Sequence, residues 1–295
     1  MTGTGKSPKS PRRTPYGSPI AFLYFIIAQA QGKRKGGPQK CCRAAAILTP
    51  APSYFTMNTK GVFTMSRDSI KMVAMLTMLI NHIANVFLPA GQPLTNLCLC
   101  IGYFTAVTMC FFLVEGYGCT HSKRRYAGRL LGFAVLAQLP YQLAFPANGI
   151  AGFVQFNMLF TLLLCFLVLL VQEKIRDRVL RGVCIVLLIC ASLFCDWALL
   201  APVFTLLFAW AGGNRTRQKA AFGAAALLYG GMAGLGSGQV WEAVGCAVPI
   251  LVSAFVILYL YNGRRAARGR TFYKWFFYAF YPAHLLVLGL LRLAV

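Results

Sequence analysis

The chain has 295 residues, 58% of them hydrophobic and 12% charged, and its mean hydropathy is +0.63. Such an excess of apolar side chains excludes an ordinary soluble domain and leaves the bilayer as the natural solvent. The formal charge of +23 would mark a nucleic-acid binder in a soluble protein. Here Lys and Arg fall in short clusters between apolar runs, which is a topology signal, and no nucleic-acid partner is expected.

Residues 1–66 contain ten Lys or Arg, no Asp or Glu, and much Pro, Gly, Ser and Thr. This predicts a basic extension, disordered or arising from a start assigned too far upstream, with Met65 or Met57 as the biological first residue. The apolar run at 19–30 is twelve residues long, too short to span, although with Ala28-Gln29-Ala30 it has the form of a signal peptide. Gly3-Thr4-Gly5-Lys6-Ser7 carries the end of a phosphate loop without its first glycine or a preceding strand, and is set aside. The eleven cysteines, Cys41-Cys42 and Cys98-Leu99-Cys100 among them, never form a second pair at zinc spacing. They read as packing residues or free thiols, and no metal site is expected.

From Ser69 onward the apolar runs predict an all-α, polytopic membrane domain over 67–295. Its nine helices fall at about 69–89, 97–117, 126–146, 156–172, 179–194, 197–211, 219–236, 243–261 and 272–293. Arg67 and Lys71 precede the first span, and Lys123, Arg124, Arg125 and Arg129 follow the second. Lys174, Arg176, Arg178 and Arg181 follow the fourth, Arg215, Arg217 and Lys219 the sixth, and Arg264, Arg265, Arg268, Arg270 and Lys274 the eighth. The loops after spans one, three, five and seven hold no Lys or Arg. Counting positive charge in short loops therefore places the amino terminus in the cytoplasm and the carboxyl terminus outside, unless the short fifth and sixth spans form one re-entrant hairpin. Gly230, Gly234 and Gly238 repeat every four residues, a spacing that predicts close helix packing.

Ionisable groups inside a bilayer are costly, so each one is a functional candidate. His82 lies thirteen residues past Ser69, about 20 Å from the cytoplasmic edge at 1.5 Å per residue. His284 and Gln138, each twelve residues into their spans, lie at about 18 Å by the same arithmetic. Tyr141, Asn157, Asp196 and Trp197 fall nearer the outer end, and Asn81 and Asn85 flank His82. Together these predict an outward-facing polar chamber. At the cytoplasmic mouth Glu115, His121 and the set Lys123, Arg124, Arg125 and Arg129 gather, as an anion site or as headgroup contacts.

Several segments resemble the TraX family over about residues 67–294. They are Met78-Leu79-Ile80-Asn81-His82-Ile83, Phe111-Phe112-Leu113-Val114-Glu115-Gly116 with Thr120, and Tyr126 with Arg129-Leu130-Leu131. Gln138-Leu139-Pro140-Tyr141, Asn157-Met158-Leu159-Phe160-Thr161, Asp196-Trp197 and Phe280-Tyr281-Pro282-Ala283-His284-Leu285 follow in the family's order. The family's namesake acetylates the amino terminus of a conjugative pilin. Asn81 departs from the pattern, which usually reads Asp-His, and Ala198 stands where a glycine is common.

The resemblance implies a multi-pass protein of the bacterial cytoplasmic membrane that passes an acyl group, acetyl first, from a cytosolic acyl-CoA to a protein or cell-envelope acceptor at the outer face. No bound cofactor is expected, only acetyl-CoA as donor. An imidazole near pKa 6.5 suits the general base of such a transfer. On this reading His82 is catalytic, oriented by Asp196 or a water because Asn81 carries no charge, with His284 beside it. Gln138, Tyr141, Asn157, Trp197 and Tyr281 line the acceptor side. Arg129, Arg124 and Arg125 would hold the donor phosphates, and Glu115 would order Arg129 when the donor is absent. Two alternatives stay open: a transporter or flippase using the chamber as its substrate site, and a scaffold in which Asn81 marks a lost active site that Asn81→Asp would restore.

Overall fold

In the computed structural model the described residues are 55–57, 63–146, 149–150, 153–266 and 269–294. The run at 19–30, the Gly3–Ser7 motif and Cys41-Cys42 lie outside them. Two short antiparallel strand pairs, β1 (Phe55–Met57) with β2 (Phe63–Met65) and β3 (Gly149–Ile150) with β4 (Phe153–Val154), sit among helices. The helices are α1 (Arg67–Phe87), α2 (Pro93–Cys119), α3 (Lys123–Ala144), α4 (Met158–Lys174), α5 (Arg178–Ala191), α6 (Leu200–Ala211), α7 (Arg215–Ser237), α8 (Val240–Phe255) and α9 (Arg270–Ala294). Each coincides with one predicted segment.

The polar residues between apolar runs decide where helices start. The side chains of Ser66, Ser122, Asn157, Asp177 and Asn214 each accept a hydrogen bond from a backbone N–H of the first turn of α1, α3, α4, α5 and α7. Groups that the helix itself leaves without partners are satisfied in this way. Pro93 opens α2, where its missing N–H costs nothing. The end of α8 widens into a π turn over Val256–Leu260, and Arg215 Nη1 donates to the Leu258 carbonyl at 2.8 Å.

Five segments are long and apolar enough to cross a membrane by length and composition: α1, α2, α7, α8 through Leu260, and α9. α3 is 22 residues long but carries Arg129, Gln138 and Gln142 and falls outside that set. α4, α5 and α6 have 17, 14 and 12 residues. At 1.5 Å per residue they are about 26, 21 and 18 Å long, short of a hydrocarbon core of about 30 Å. The connection at 195–199 folds inward, Asp196 N donating to the Phe156 carbonyl at 2.8 Å.

α2 sits at the centre, with α1, α4, α6 and α8 packed around it, and α9 closes the bundle between α1 and α3. The core runs through Val107, Cys110, Ala134, Phe166, Phe204, Phe222, Ile250 and Leu285. Large apolar side chains such as Leu94, Leu136, Leu139, Leu227, Leu235 and Trp241 face outward, the surface a bilayer would solvate. The expected glycine packing applies to two of its three residues. A Cβ on Gly230 would lie 2.7 Å from the Ala243 carbonyl oxygen, and one on Gly234 2.8 Å from Ala243 Cβ. Gly238 serves the α7–α8 turn, where its φ of +67° suits glycine.

Forcing a side chain into that α7–α8 contact should separate the helices. Gly230→Leu is expected to lower the thermal unfolding temperature of the detergent-solubilised protein by the equivalent of about 1–3 kcal/mol of overpacking. Gly223→Leu, where a Cβ meets nothing within 4 Å, is expected to leave it unchanged.

Candidate functional site

α1 and α9 bring the two intramembrane histidines together. His82 Nδ1 and His284 Nε2 are 2.8 Å apart, each residue is 8% exposed, and the rings lie nearly parallel. His284 Nδ1 is 2.8 Å from the Phe280 carbonyl oxygen one turn earlier. A carbonyl only accepts, so His284 Nδ1 carries the proton and, with both rings neutral, His284 Nε2 is an acceptor. His82 Nδ1 must then be the donor, which leaves His82 Nε2 as an unprotonated base. Phe145, Phe280 and Tyr281 wall the pair with aromatic rings. No third His, Cys, Asp or Glu completes a metal-ligand set with them among the described residues.

The group that orients His82 is therefore His284, and Asp196 and Asn81 both act elsewhere. Asp196 accepts from Trp197 N at 3.0 Å through Oδ1, and its carbonyl accepts from the Thr161 hydroxyl at 2.5 Å. Asn81 turns toward α2: its Nδ2 donates to the Leu99 carbonyl at 2.9 Å, and its Oδ1 accepts from Asn85 Nδ2 at 2.9 Å. That approach needs Gly102, where a Cβ would fall 2.2 Å from Asn81 Cβ. An aspartate has no N–H for Leu99, so the departure at this position fits a structural need of the α1–α2 contact.

Beyond the histidines, Gln138, Tyr141 and Asn157 join one amide network. Asn157 Nδ2 donates to Gln138 Oε1 at 2.9 Å and to the Ala134 carbonyl at 2.8 Å. Gln138 and Gln142 both donate to the Gln155 carbonyl at 2.9 Å, and the Tyr141 hydroxyl donates to Gln155 Oε1 at 3.2 Å. Tyr281 links this network to the imidazoles, its hydroxyl accepting from Met158 N at 3.2 Å while its ring lies 6.4 Å from that of His82. Gln142 and Gln155 escaped the sequence reading. Gln142 was visible as the residue one turn after Gln138, whereas Gln155 sits in a connection whose path only the fold reveals.

Trp197 lies apart from the imidazoles, packed on Tyr103 and Tyr229 with ring centroids at 5.8 and 5.3 Å. Its φ is +57° and that of Leu199 is +62°. Such conformations are strained for large side chains and persist where surrounding packing imposes them.

At the other end the carboxylates and basic residues make pairings that differ from the expected Glu115–Arg129 one. The Tyr261 hydroxyl donates to Glu115 Oε1 at 2.7 Å, and Glu115 Oε2 faces Arg67 Nε at 3.5 Å, so Glu115 is bound to α1 and to the end of α8 and forms no ion pair with Arg129. Arg129 stands over the Tyr126 ring at 5.7 Å and beside Tyr278. Arg124 and Arg125 are exposed, and His121 is exposed just before them. Lys123 and the Tyr117 hydroxyl both bind Glu173, and these hydrogen bonds hold its carboxyl below the usual glutamate range. Arg67 is the residue of this end that sequence reasoning took only for a topology marker.

Placing a charge at Asn81 should weaken the α1–α2 contact. Asn81→Asp loses the bond to Leu99 and sets a carboxylate against a carbonyl, an expected cost of about 1–3 kcal/mol. A fall in thermal unfolding temperature is the expected outcome; an unchanged or raised value would contradict this role of Asn81.

A family model described as TraX protein matches residues 66–292. The chain is 33% identical over 234 residues to a protein of Dichelobacter nodosus described as a probable fimbrial assembly protein FimC, serogroup H1, covering 76% of this chain and 94% of that one. No solved structure matches. With the family model matched over most of the chain and a relative 33% identical, the protein belongs to the TraX family.

Proposed function

We propose that the protein is a membrane-embedded acyltransferase that moves an acyl group, acetyl in the first instance, from a cytosolic acyl-CoA to an amine or hydroxyl acceptor at the outer face of a bacterial cytoplasmic membrane. The observation that carries this reading is the chain of hydrogen bonds from the Phe280 carbonyl through His284 to His82, which fixes the tautomer of His82 and presents Nε2 as a base. His284 takes the orienting place that a carboxylate fills in other dyads.

In the transfer, the acceptor's oxygen or nitrogen attacks the thioester carbonyl as its proton passes to His82 Nε2. The carbon–sulfur bond then breaks and the thiolate leaves with that proton, returning His82 to its starting form. His284 and the Phe280 carbonyl stabilise the transient imidazolium. The amides of Gln138 and Asn157 and the hydroxyls of Tyr141 and Tyr281 line the acceptor side. Arg129, Arg124 and Arg125 receive the donor at the basic end.

The same reading puts that basic end in the cytoplasm, following the positive charge of every second connection, with nine membrane passages in which α5 and α6 act as a short pair. The named relative's part in fimbrial assembly favours a cell-surface filament subunit as acceptor.

Membranes containing the protein, supplied with acetyl-CoA labelled in the acetyl group, are expected to place label in a non-CoA product. His82→Ala should reduce this about 10²-fold or more, the usual share of a general base, and His284→Gln should reduce it without abolishing it. Equal label in wild type, His82→Ala and empty membranes, with expression verified, would remove the acyltransferase reading; substrate flux lost with His82→Ala would favour transport.

A further inference from the structure

The basic end of the bundle contains polar atoms that the fold leaves without partners. Arg67 is only 6% exposed, yet its Nε has no hydrogen-bond partner among the described residues, and neither does the Nε of Arg129 or Oε2 of Glu115. The Arg67–Glu115 ion pair is long, at 3.5 Å, while Nη2 of Arg67 donates to the Phe112 carbonyl at 2.8 Å. Buried donors are nearly always paired, so Arg129 Nε without a hydrogen bond and Arg67 Nε with only a long contact to Glu115 point to a further acceptor at this end.

Charge points the same way. Lys71 Nζ stands over the Phe277 ring at 5.2 Å and interacts electrostatically with Arg67 and Arg265, and Tyr126 senses Arg67, Arg129 and Arg265 together. Basic side chains thus outnumber the two carboxylates, Asp68 and Glu115, at this end. Asp68 is committed to the Ala266 N–H at 2.7 Å and Glu115 to the Tyr261 hydroxyl. Gly116 lets the Arg67 guanidinium lie close against α2: a Cβ there would fall 2.9 Å from Arg67 Nη2 and 3.7 Å from the Tyr126 hydroxyl. A doubly charged tetrahedral anion meets this combination of forked donors, surplus charge and hydroxyls.

We propose that Arg67, Lys71, Arg129 and Arg265, with the hydroxyls of Tyr126 and Tyr278, form a seat for a phosphate or diphosphate group entering from the basic end. The choice of a coenzyme A thioester as its natural ligand rests on the acyltransferase reading; the phosphate chemistry stands without it. Arg124 and Arg125, exposed at the start of α3, would then attract the ligand electrostatically, and Arg67, Lys71, Arg129 and Arg265 would hold it. An anionic lipid headgroup offers the same chemistry from within the bilayer.

The test uses the full chain in nanodiscs of phosphatidylcholine, titrated calorimetrically with coenzyme A and with pantetheine, which lacks the phosphates. Coenzyme A is expected to bind and pantetheine to bind at least about tenfold more weakly, with Arg129→Gln and Lys71→Gln each weakening coenzyme A about tenfold or more at unchanged thermal stability. His82→Ala should bind coenzyme A as wild type does. In discs containing phosphatidylglycerol, loss of coenzyme A binding together with Arg129-dependent retention of the anionic lipid would assign the seat to a headgroup. Coenzyme A binding indifferent to both substitutions, or no binding of either phosphate source that depends on them, would overturn the proposal. Binding without His82-dependent label transfer would keep the seat and remove the catalytic reading; His82-dependent transfer indifferent to Arg129→Gln would do the reverse.

Discussion

The hydrogen bond between His82 and His284 ties the first helix of the bundle to the last, and it does so where water is scarce. In an apolar slab a ring nitrogen finds its partner inside the protein or pays a large desolvation cost, so two imidazoles that satisfy each other fix the rotation of both helices. The bond also has a direction. Because Phe280 offers His284 only an acceptor, the proton order along the chain is set by the backbone of α9, and the base emerges on α1. Packing and chemistry thus rest on the same 2.8 Å contact.

The rest of the polar interior follows the same constraint with different completeness. Toward one end, Gln138, Asn157 and Gln155 exchange amide hydrogen bonds with backbone carbonyls and with one another. Such a network specifies the α3–α4 arrangement and leaves a polar lining beside Tyr281. Toward the basic end, pairing is left unfinished at Arg67, Glu115 and Arg129. The two ends of the bundle thus differ: a mutually satisfied amide network on one side, and on the other charged groups whose hydrogen bonding is incomplete among the described residues.

Helix positions were legible because runs of apolar residues long enough for a bilayer, separated by polar caps such as Ser122, Asn157 and Asn214, leave little freedom in where a helix begins. What the fifth and sixth segments do was less legible, since 14 and 12 helical residues read equally as short spans or as a folded-back pair. The depth arithmetic placed His82 and His284 at one level, but distance along an axis says nothing of rotation, and their direct contact came only with the packing of α1 on α9. Asn81 shows the opposite limit. Asn81 adjoins His82 in sequence, but successive residues on a helix point about 100° apart, and Asn81 serves Leu99 on α2. Arg67 was visible as a charge at a helix start; that it is buried against Phe112 and Glu115 depends on contacts 45 and more residues away.

The protonation order of the paired imidazoles is the claim on which the catalytic account stands, and nitrogen-15 solid-state NMR of the histidine-labelled protein in bilayers reads it directly. The account predicts that His82 and His284 both carry their proton on Nδ1 at neutral pH, with Nε2 of His284 shifted as a hydrogen-bond acceptor and Nε2 of His82 unprotonated. Protonation of His82 at Nε2, or a doubly protonated ring at either position, would contradict it.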